Sequence, residues 1–221
     1  MSSKSTARRP GRPRAEDAPL SVDDMLKAAL GVFATHGYDG VSVSALSRDL
    51  GVSHNLLHQR FGSKEGLWYA AVDWGFGGLA DELARAADPT LTDPFDQLAV
   101  ILRRFLEVSA ERPELVGLMN LEGREDTDRL RYLYDHYVDP ITSPIRRILE
   151  HLAAEGRIRQ VSPRAFHFLV AHGAAAPFTL TALAQQLEPT DPLDPGARAE
   201  YIDAVVELLL AGLRTTPDAP C

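Results

Sequence analysis

The chain has 221 residues, which is enough for one large or two small domains with a sizeable core. Its only cysteine, Cys221, is the last residue, so neither a disulfide framework nor a cysteine metal site is expected. The net charge of −8 is unevenly spread: residues 1–70 carry nine Lys and Arg against seven Asp and Glu, whereas the rest carries 14 against 24. Such an acidic protein binds nucleic acid poorly overall, but a less acidic, basic-tailed end can still bind it.

Residues 1–19 are rich in Ser, Arg, Pro and Gly and show no hydrophobic period, which predicts a mobile arm. No apolar segment follows the basic start, so a secretory signal is not expected and a cytoplasmic location is. Residues 11–14 read Gly-Arg-Pro-Arg, which looks like the core of an AT-hook. Such an element inserts arginines into a narrow minor groove, so Arg12 and Arg14 are predicted DNA contacts. The alternative is a generic basic tail that only raises non-specific affinity.

Two helices are predicted next. Ser21 is the expected N-cap of the first, whose apolar residues recur at helical spacing until Gly37 ends it. Ser42 is the expected N-cap of the second, which buries Leu46 and Leu50.

Residues 51–53, Gly-Val-Ser, have the form of the turn in a helix-turn-helix, with a glycine to reverse the chain and a serine to cap the next helix. That helix is expected over about residues 54–61. Leu57 and Phe61, four apart, give it one buried face. Asn55 and Gln59 fall on another face, and both side chains can make bidentate contacts to adenine.

The remaining chain also has the pattern of helices and no convincing strand, which predicts an all-α fold. A fourth helix runs from Lys64 to about residue 86. Prolines at 140 and 144 should kink or break the long segment 126–155. The other predicted helices are 94–110, 113–121, 163–187 and 197–213.

The run from the first helix to residue 68 resembles the DNA-binding domain of the TetR/AcrR family of one-component regulators. The resemblance implies a three-helix helix-turn-helix head at residues 20–66, a larger helical ligand-binding and dimerisation domain at 67–215, and a tail at 216–221. It also implies a repressor that binds a near-palindromic operator of double-stranded DNA as a dimer. A small-molecule effector would release it, and no cofactor or metal is implied.

In the family the helix after Gly-Val-Ser enters the major groove, which places His54, Asn55 and Gln59 near base edges. His58 stands where the family usually has a phosphate-binding Tyr, so that contact is in doubt here. Lys64 is retained, and in the first turn of a helix a lysine needs a reason, which a bound phosphate would supply. The predicted DNA contacts are Ser42, Ser53, His54, Asn55, His58, Gln59 and Lys64, together with the two arginines of the arm.

The body offers two further predictions. Helices of about 163–187 and 197–213 should pair with those of a second copy, as related proteins form a homodimer by a four-helix bundle. Its aromatic and polar residues could line a pocket for a small apolar effector of unknown identity, although ordinary core packing explains any one of them better. The candidate effector-binding residues are Phe105, Met119, Tyr134, Tyr137, His172 and Phe178.

Helix 4 contains three glycines within its predicted middle, Gly75, Gly77 and Gly78. Each should weaken the helix by about 1 kcal/mol relative to alanine. They indicate either close helix packing or a hinge between the head and the body.

Other readings are weaker. His54 and His58 have metal-ligand spacing on a helix, but no third ligand is evident. No Gly-x-Ser-x-Gly elbow supports an enzyme. A purely architectural DNA-binding module would not need the acidic helical body. Residues 166–184 hold no Asp, Glu, Lys or Arg, yet their two histidines, glycine and proline favour a buried helix over a membrane span.

Overall fold

A computed structural model of the chain describes residues 20–86 and 90–215, and these ranges are mostly helical. Neither range contains a strand, and only an isolated antiparallel bridge joins Ile158 to Arg214. The predicted all-α fold class is therefore confirmed. The α-helices are α1 (Val22–Gly40), α2 (Val43–Asp49), α3 (His54–Phe61), α4 (Lys64–Ala86), α5 (Pro94–Glu111), α6 (Pro113–Glu122), α7 (Asp128–Leu133), α8 (Asp139–Ala154), α9 (Pro163–Phe168), α10 (Ala176–Thr179), α11 (Thr181–Leu187) and α12 (Pro195–Leu213).

Helix starts follow from local capping. The Oγ of Ser21 accepts from the backbone N–H of Asp24, and the Oγ of Ser42 accepts from that of Ala45, each over 3.1 Å. Both predicted caps are confirmed, as are the bounds of α3 and α4. Gly37 has φ 69° and ψ 165°, a backbone conformation that suits glycine, and it kinks α1 rather than ending it.

The long segment 126–155 is interrupted before its first proline. A π-helical turn, Tyr134–Val138, separates α7 from α8, and within it the N–H of Asp139 reaches the carbonyl of Tyr134. Pro140 has no N–H to donate to the carbonyl four residues earlier, so one α-helical hydrogen bond is missing here. The wider π-helical turn replaces the α-helical pairing around this position. Pro144 is also expected to kink or break the segment, but α8 continues through it as one helix.

The predicted single helix 163–187 is wrong. The segment consists of α9, a π-helical stretch Leu169–Ala174, α10 and α11, and it bends by 83° between Thr179 and Thr181. Pro177 cannot donate to the carbonyl of Gly173, and the glycine itself weakens the helix. The chain therefore leaves regular α-geometry well before Leu187.

Two apolar cores hold the helices together. The first core joins the head to the start of the body, because it contains Phe33 and Leu46 beside Trp68, Leu118 and Leu133. The second core lies in the body and is built by α5, α8, α12 and the segment 163–178. The predicted boundary between residues 66 and 67 falls in the first turn of α4, so the chain crosses it as a helix.

The three glycines of α4 have different surroundings. A Cβ on Gly75 would lie 2.7 Å from Leu30 and 2.9 Å from Leu115, so this glycine permits the close approach of α1 and α6 to α4. A Cβ on Gly78 would lie 2.8 Å from the guanidinium tip of Arg112. A Cβ on Gly77 would meet nothing within 4 Å. Close packing thus accounts for Gly75, while a hinge at Gly77 stays a prediction.

The glycines provide a matched pair of variants. Gly77→Ala should raise the free energy of unfolding by about 1 kcal/mol, because alanine is the better helix former and the new methyl group has room. Gly75→Ala should lower it by about 1–3 kcal/mol through overpacking against Leu30 and Leu115. Urea unfolding at one fixed protein concentration measures both values. Destabilisation of Gly77→Ala would contradict the assignment of Gly77 to open space.

Candidate nucleic-acid interface and ligand cavity

Helices α2 and α3 form a helix-turn-helix on the first core. Gly51 makes the turn with φ 63°, and the Oγ of Ser53 then caps α3 by accepting from the N–H of Leu56. Leu57 anchors α3, because only 2 % of it is exposed. One face of α3 is thereby fixed against the head, and the opposite face remains in solvent.

The outward face of α3 carries four polar side chains, His54, Asn55, His58 and Gln59, and all four are exposed. None of them forms a hydrogen bond or ion pair with any described residue, so their donors and acceptors are free for a partner. The hydroxyls of Ser42 and Ser53 each accept a cap hydrogen bond, but their own O–H groups remain available to donate. The sequence-predicted contacts of the head therefore lie together around α3.

Lys64, at the start of α4, lies beside residues of α3 and the ring of Tyr38. It lines a small cavity of about 130 Å³ together with His54 and His58. Its Nζ also lies 4.3 Å from the centre of the Tyr38 ring, and the guanidinium carbon of Arg129 lies 4.0 Å from the same centre. Two cations thus share one aromatic ring, and one of them belongs to the body.

Arg129 connects this ring to a buried acid. Its Nε donates to Glu122 Oε2 over 3.0 Å, and only 5 % of Glu122 is exposed. Burial raises the pKa of Glu122, while the neighbouring guanidinium acts to lower it. Glu122 ends α6, so the pair links the last turn of α6 to Tyr38 and the head. Arg12 and Arg14 of the predicted arm lie outside the described residues.

A cavity of about 640 Å³ lies in the body. Its walls are largely aliphatic and aromatic and come from α4, α5, α6, α8 and the segment 163–172. This size is within the usual range for small-molecule sites. Five of the six candidate effector residues line it, namely Phe105, Met119, Tyr134, Tyr137 and His172.

Phe178, the sixth candidate, does not line the cavity. It is 1 % exposed in the second core, where its ring packs edge-on against Tyr201 at 5.6 Å between centroids. Phe178 lies in α10, beyond the π-helical stretch Leu169–Ala174, and its ring packs in the second core. The expectation for Phe178 is corrected accordingly.

The cavity also contains polar residues beyond the predicted His172. His167 and His172 stand 5.6 Å apart between ring centroids, and His172 Nδ1 donates to Asn120 Oδ1 over 2.6 Å. Burial lowers the pKa of both imidazoles, which keeps them neutral near pH 7. Three arginines line the cavity as well, Arg124, Arg146 and Arg164. On sequence alone these arginines look like ordinary solvated charges.

One wall of the cavity is hydrogen-bonded to α4. The hydroxyl of Tyr137 donates to Asp73 Oδ1 over 2.6 Å, and that of Tyr132 donates to the same oxygen over 2.7 Å. Burial, followed by the bonded carboxylate, raises the pKa of Tyr132 to about 12, and the pKa of Tyr137 is raised from the same causes. Both phenols therefore stay protonated at neutral pH. Phe76 on α4 also packs on Tyr137, with 5.7 Å between centroids.

Within residues 20–86 and 90–215, no group of three or more His, Cys, Asp and Glu side chains is arranged to hold a metal ion. In the same ranges no single helix has the length and apolar character to cross a membrane. The segments Pro163–Thr179 and Thr181–Leu187 together have the length and composition of a membrane span, but they meet at an angle of 83°.

Two family profiles match the chain in the order of these two parts. Residues 25–71 match the profile of bacterial regulatory proteins of the tetR family, and residues 94–209 match a tetracyclin repressor-like C-terminal domain.

Individual relatives agree with the profiles. The chain is 28 % identical over 127 residues to the HTH-type transcriptional regulator BetI of Rhizobium meliloti. The matched region covers 55 % of this chain but only 62 % of BetI. It is 23 % identical to the HTH-type transcriptional repressor NicS of Pseudomonas putida, over 91 % of this chain and 96 % of NicS.

A solved structure shows the same fold. The transcriptional regulator FadR of Bacillus subtilis, in complex with stearoyl-CoA, superimposes with a TM-score of 0.60 at 20 % identity and covers 86 % of this chain and 98 % of its own. The profiles account for the helix-turn-helix and for the helical body, and proteins of this kind are DNA-binding regulators rather than enzymes. The chain belongs to the TetR family of transcriptional regulators.

Proposed function

We propose that the protein is a repressor that binds a near-palindromic operator as a homodimer and leaves it when a small, largely apolar effector fills the cavity of the body. The observation that carries this proposal is the wall shared by the cavity and α4, since α4 begins in the head at Lys64 and lines the cavity from Phe76 onward. An architectural DNA-binding module would have no use for such a cavity. The cytoplasm, where operator DNA lies, is the proposed location.

The head is proposed to read DNA with α3. Asn55 and Gln59 are exposed, unpaired and one helical turn apart, which suits contacts to base edges in the major groove. His54 lies beside them. His58 and Lys64 line one small cavity at the start of α4, and they are proposed to hold a backbone phosphate together with the hydroxyls of Ser42 and Ser53. Arg12 and Arg14 are proposed to reach the minor groove.

The dimer is proposed to form through the segment 163–187 and α12. Four of the most exposed large apolar side chains lie on the first of these, and one lies on the second. They are Phe168 (58 %), Leu169 (58 %), Leu183 (58 %), Leu187 (79 %) and Leu208 (73 %). Exposed apolar residues of this number mark an interaction surface, and pairing would bury them. A dimer would then present two copies of α3 to two half-sites about one DNA turn apart.

The signal is proposed to pass through α4. An effector that displaces Tyr137 would move Asp73 through their hydrogen bond. An effector that contacts Phe76 or Leu79 would displace α4 directly. A ligand shifts the protein only by its difference in affinity between the DNA-bound and released states. The bonded phenol and the packed ring supply contacts that can differ between two positions of α4. The division of the chain into head and body between residues 66 and 67 belongs to this proposal.

Base reading and phosphate binding should separate by mutation. Asn55→Ala should cost about 1–3 kcal/mol and relax the preference at particular base pairs. Lys64→Ala should weaken binding to all sequences alike and lower the salt slope by about one. Selection of bound DNA from a random pool, with titrations at several salt concentrations, measures both.

Arg85→Ala is the matched control for Lys64→Ala, because Arg85 is exposed on the same helix, roughly 30 Å further along it. It should leave the salt slope unchanged. Melting temperatures are compared too, since Lys64 also contacts Tyr38. A changed preferred sequence in Lys64→Ala would show that the two roles are wrongly assigned.

The dimer face should be sensitive to charge. Leu187→Glu should raise the dimer dissociation constant about tenfold or more, because each dimer would bury two unpaired carboxylates. Leu20→Glu, at an exposed leucine before α1, should leave it unchanged. Sedimentation over a concentration series measures both variants. A wild-type protein that sediments as a monomer at micromolar concentration would count against the proposed dimer.

The link between the cavity and α4 should be visible in stability. Tyr137→Phe should lower the free energy of unfolding by about 1 kcal/mol, because it removes one hydrogen bond to Asp73. Tyr134→Phe is the matched control: Tyr134 lines the same cavity, but its hydroxyl has no partner among the described residues. It should change stability by less than about 0.5 kcal/mol. Equal effects of the two variants would remove the bond from the proposed route.

A further inference from the structure

The charged side chains that line the cavity are all arginines. Its lining includes Arg124, Arg146 and Arg164, and no Asp or Glu among the described residues lines it. The whole chain has 31 acidic residues against 23 Lys and Arg, so a wall of this kind runs against the overall composition. The charge of the lining residues is therefore opposite in sign to the net charge of the chain.

The arginines stand at the mouth, since all three are exposed while the aliphatic walls are not. The guanidinium groups of Arg124 and Arg164 form no ion pair or hydrogen bond with any described residue. Arg146 donates to Ser143 Oγ over 2.7 Å and lies 3.5 Å from Asp139. Most of the donors of these three groups are thus unused, and guanidinium donors suit carboxylates and phosphates.

Two of the arginines lie close in the chain to the polar residues that line the cavity. Arg164 precedes His167 by three residues on α9, which places the two on one side of that helix. Arg124 follows Asn120 by four residues, and Asn120 is bonded to His172. The imidazoles and the amide thus line the cavity together with the exposed arginines, while aliphatic side chains form much of the remaining wall. A ligand that matches this lining has a charged and polar end and an aliphatic remainder.

We propose that the cavity takes an amphiphilic anion, with an aliphatic chain against the apolar walls and a carboxylate or phosphate head held by Arg124, Arg146 and Arg164. The proposal names the chemical class of the effector and so rests on the proposed function of the cavity. The aromatic residues Phe76, Phe105 and Tyr137 would also suit an organic cation. The arginines and the missing carboxylates oppose that choice, because like charges repel across a low-dielectric wall.

Calorimetric titration of the full chain with four amphiphiles tests the proposal, at concentrations below those that form micelles. Palmitate and palmitoyl-coenzyme A are anions, hexadecanol is neutral, and hexadecyltrimethylammonium is a cation of the same chain length. The anions should bind at least about tenfold more tightly than the alcohol and the cation. Tighter binding of palmitate than of the thioester identifies a carboxylate head, and the reverse order identifies a phosphorylated head.

Variants then locate the head group. Arg164→Gln should weaken palmitate about fivefold, as expected for one exposed charge, and a triple Gln variant at 124, 146 and 164 should weaken it more. Hexadecanol should bind all of them as it binds the wild type, which also shows that they are folded. Arg147→Gln is the matched control, because Arg147 is exposed beside Arg146 on α8 but does not line the cavity.

Two results overturn the proposal: hexadecanol or the cation binding as tightly as palmitate, or the triple variant binding palmitate like the wild type. DNA release is measured separately on the selected operator. Arginine-dependent binding of an anion without release would support the ligand class and contradict the proposed function of the cavity. Release by a compound that binds there without preference for an anion would do the opposite.

Discussion

The close approach of α1, α4 and α6 at Gly75 is the constraint on which the arrangement of the molecule depends. With no side chain at this position, Leu30 from the head and Leu115 from the body both reach the backbone of α4. The first core is consequently continuous across the predicted boundary between head and body. Packed interiors respond to a displaced element by changing between discrete arrangements rather than by deforming smoothly. We therefore expect a shift of α4 or α6 in the body to move the head as well.

The polar contacts follow the same route as the packing. Asp73 on α4 accepts from Tyr137 of the cavity wall, and Glu122 at the end of α6 holds Arg129 against Tyr38. The first bond joins the cavity wall to α4, which begins at Lys64, and the second joins the end of α6 to Tyr38, whose ring Lys64 also contacts. Each link joins two elements that could take a second position, which is the physical requirement for coupling between distant sites.

Local signals in the sequence explain why the head could be predicted in detail. The bounds of α3 follow from the serine before it and the glycine after it, and the buried face follows from Leu57. The outward positions of Asn55 and Gln59 then follow from helical geometry alone. These features need only a few neighbouring residues, so the sequence contains nearly all the information about them.

The body could be predicted less well, because its details depend on distant contacts. The π-helical stretch Leu169–Ala174 and the bend after Thr179 give no periodic signal, so the segment 163–187 reads as one helix and the packing of Phe178 against Tyr201 cannot be inferred from it. The aromatic lining of the cavity could be predicted because aromatic residues are few in this chain, and each is a candidate for a core or a pocket. The arginines were missed because an exposed arginine on a helix has no mark in sequence that separates a ligand contact from a solvated charge.

The two proposed ligands of this acidic protein are both anions, and distance decides how they can influence each other. Phe76, where α4 first meets the cavity, is 12 residues from Lys64, which corresponds to roughly 18 Å along the helix. Charges in solvent are largely screened beyond about 8 Å at physiological ionic strength. Along α4 the cavity wall therefore begins beyond this screening length from Lys64, and we expect lower affinity for DNA to come from a change in the position of the helix-turn-helix head rather than from direct repulsion. Because that change must be carried by packed helices, we expect the ligand effect on DNA affinity to depend little on salt, although the binding of each anion by itself depends on salt strongly.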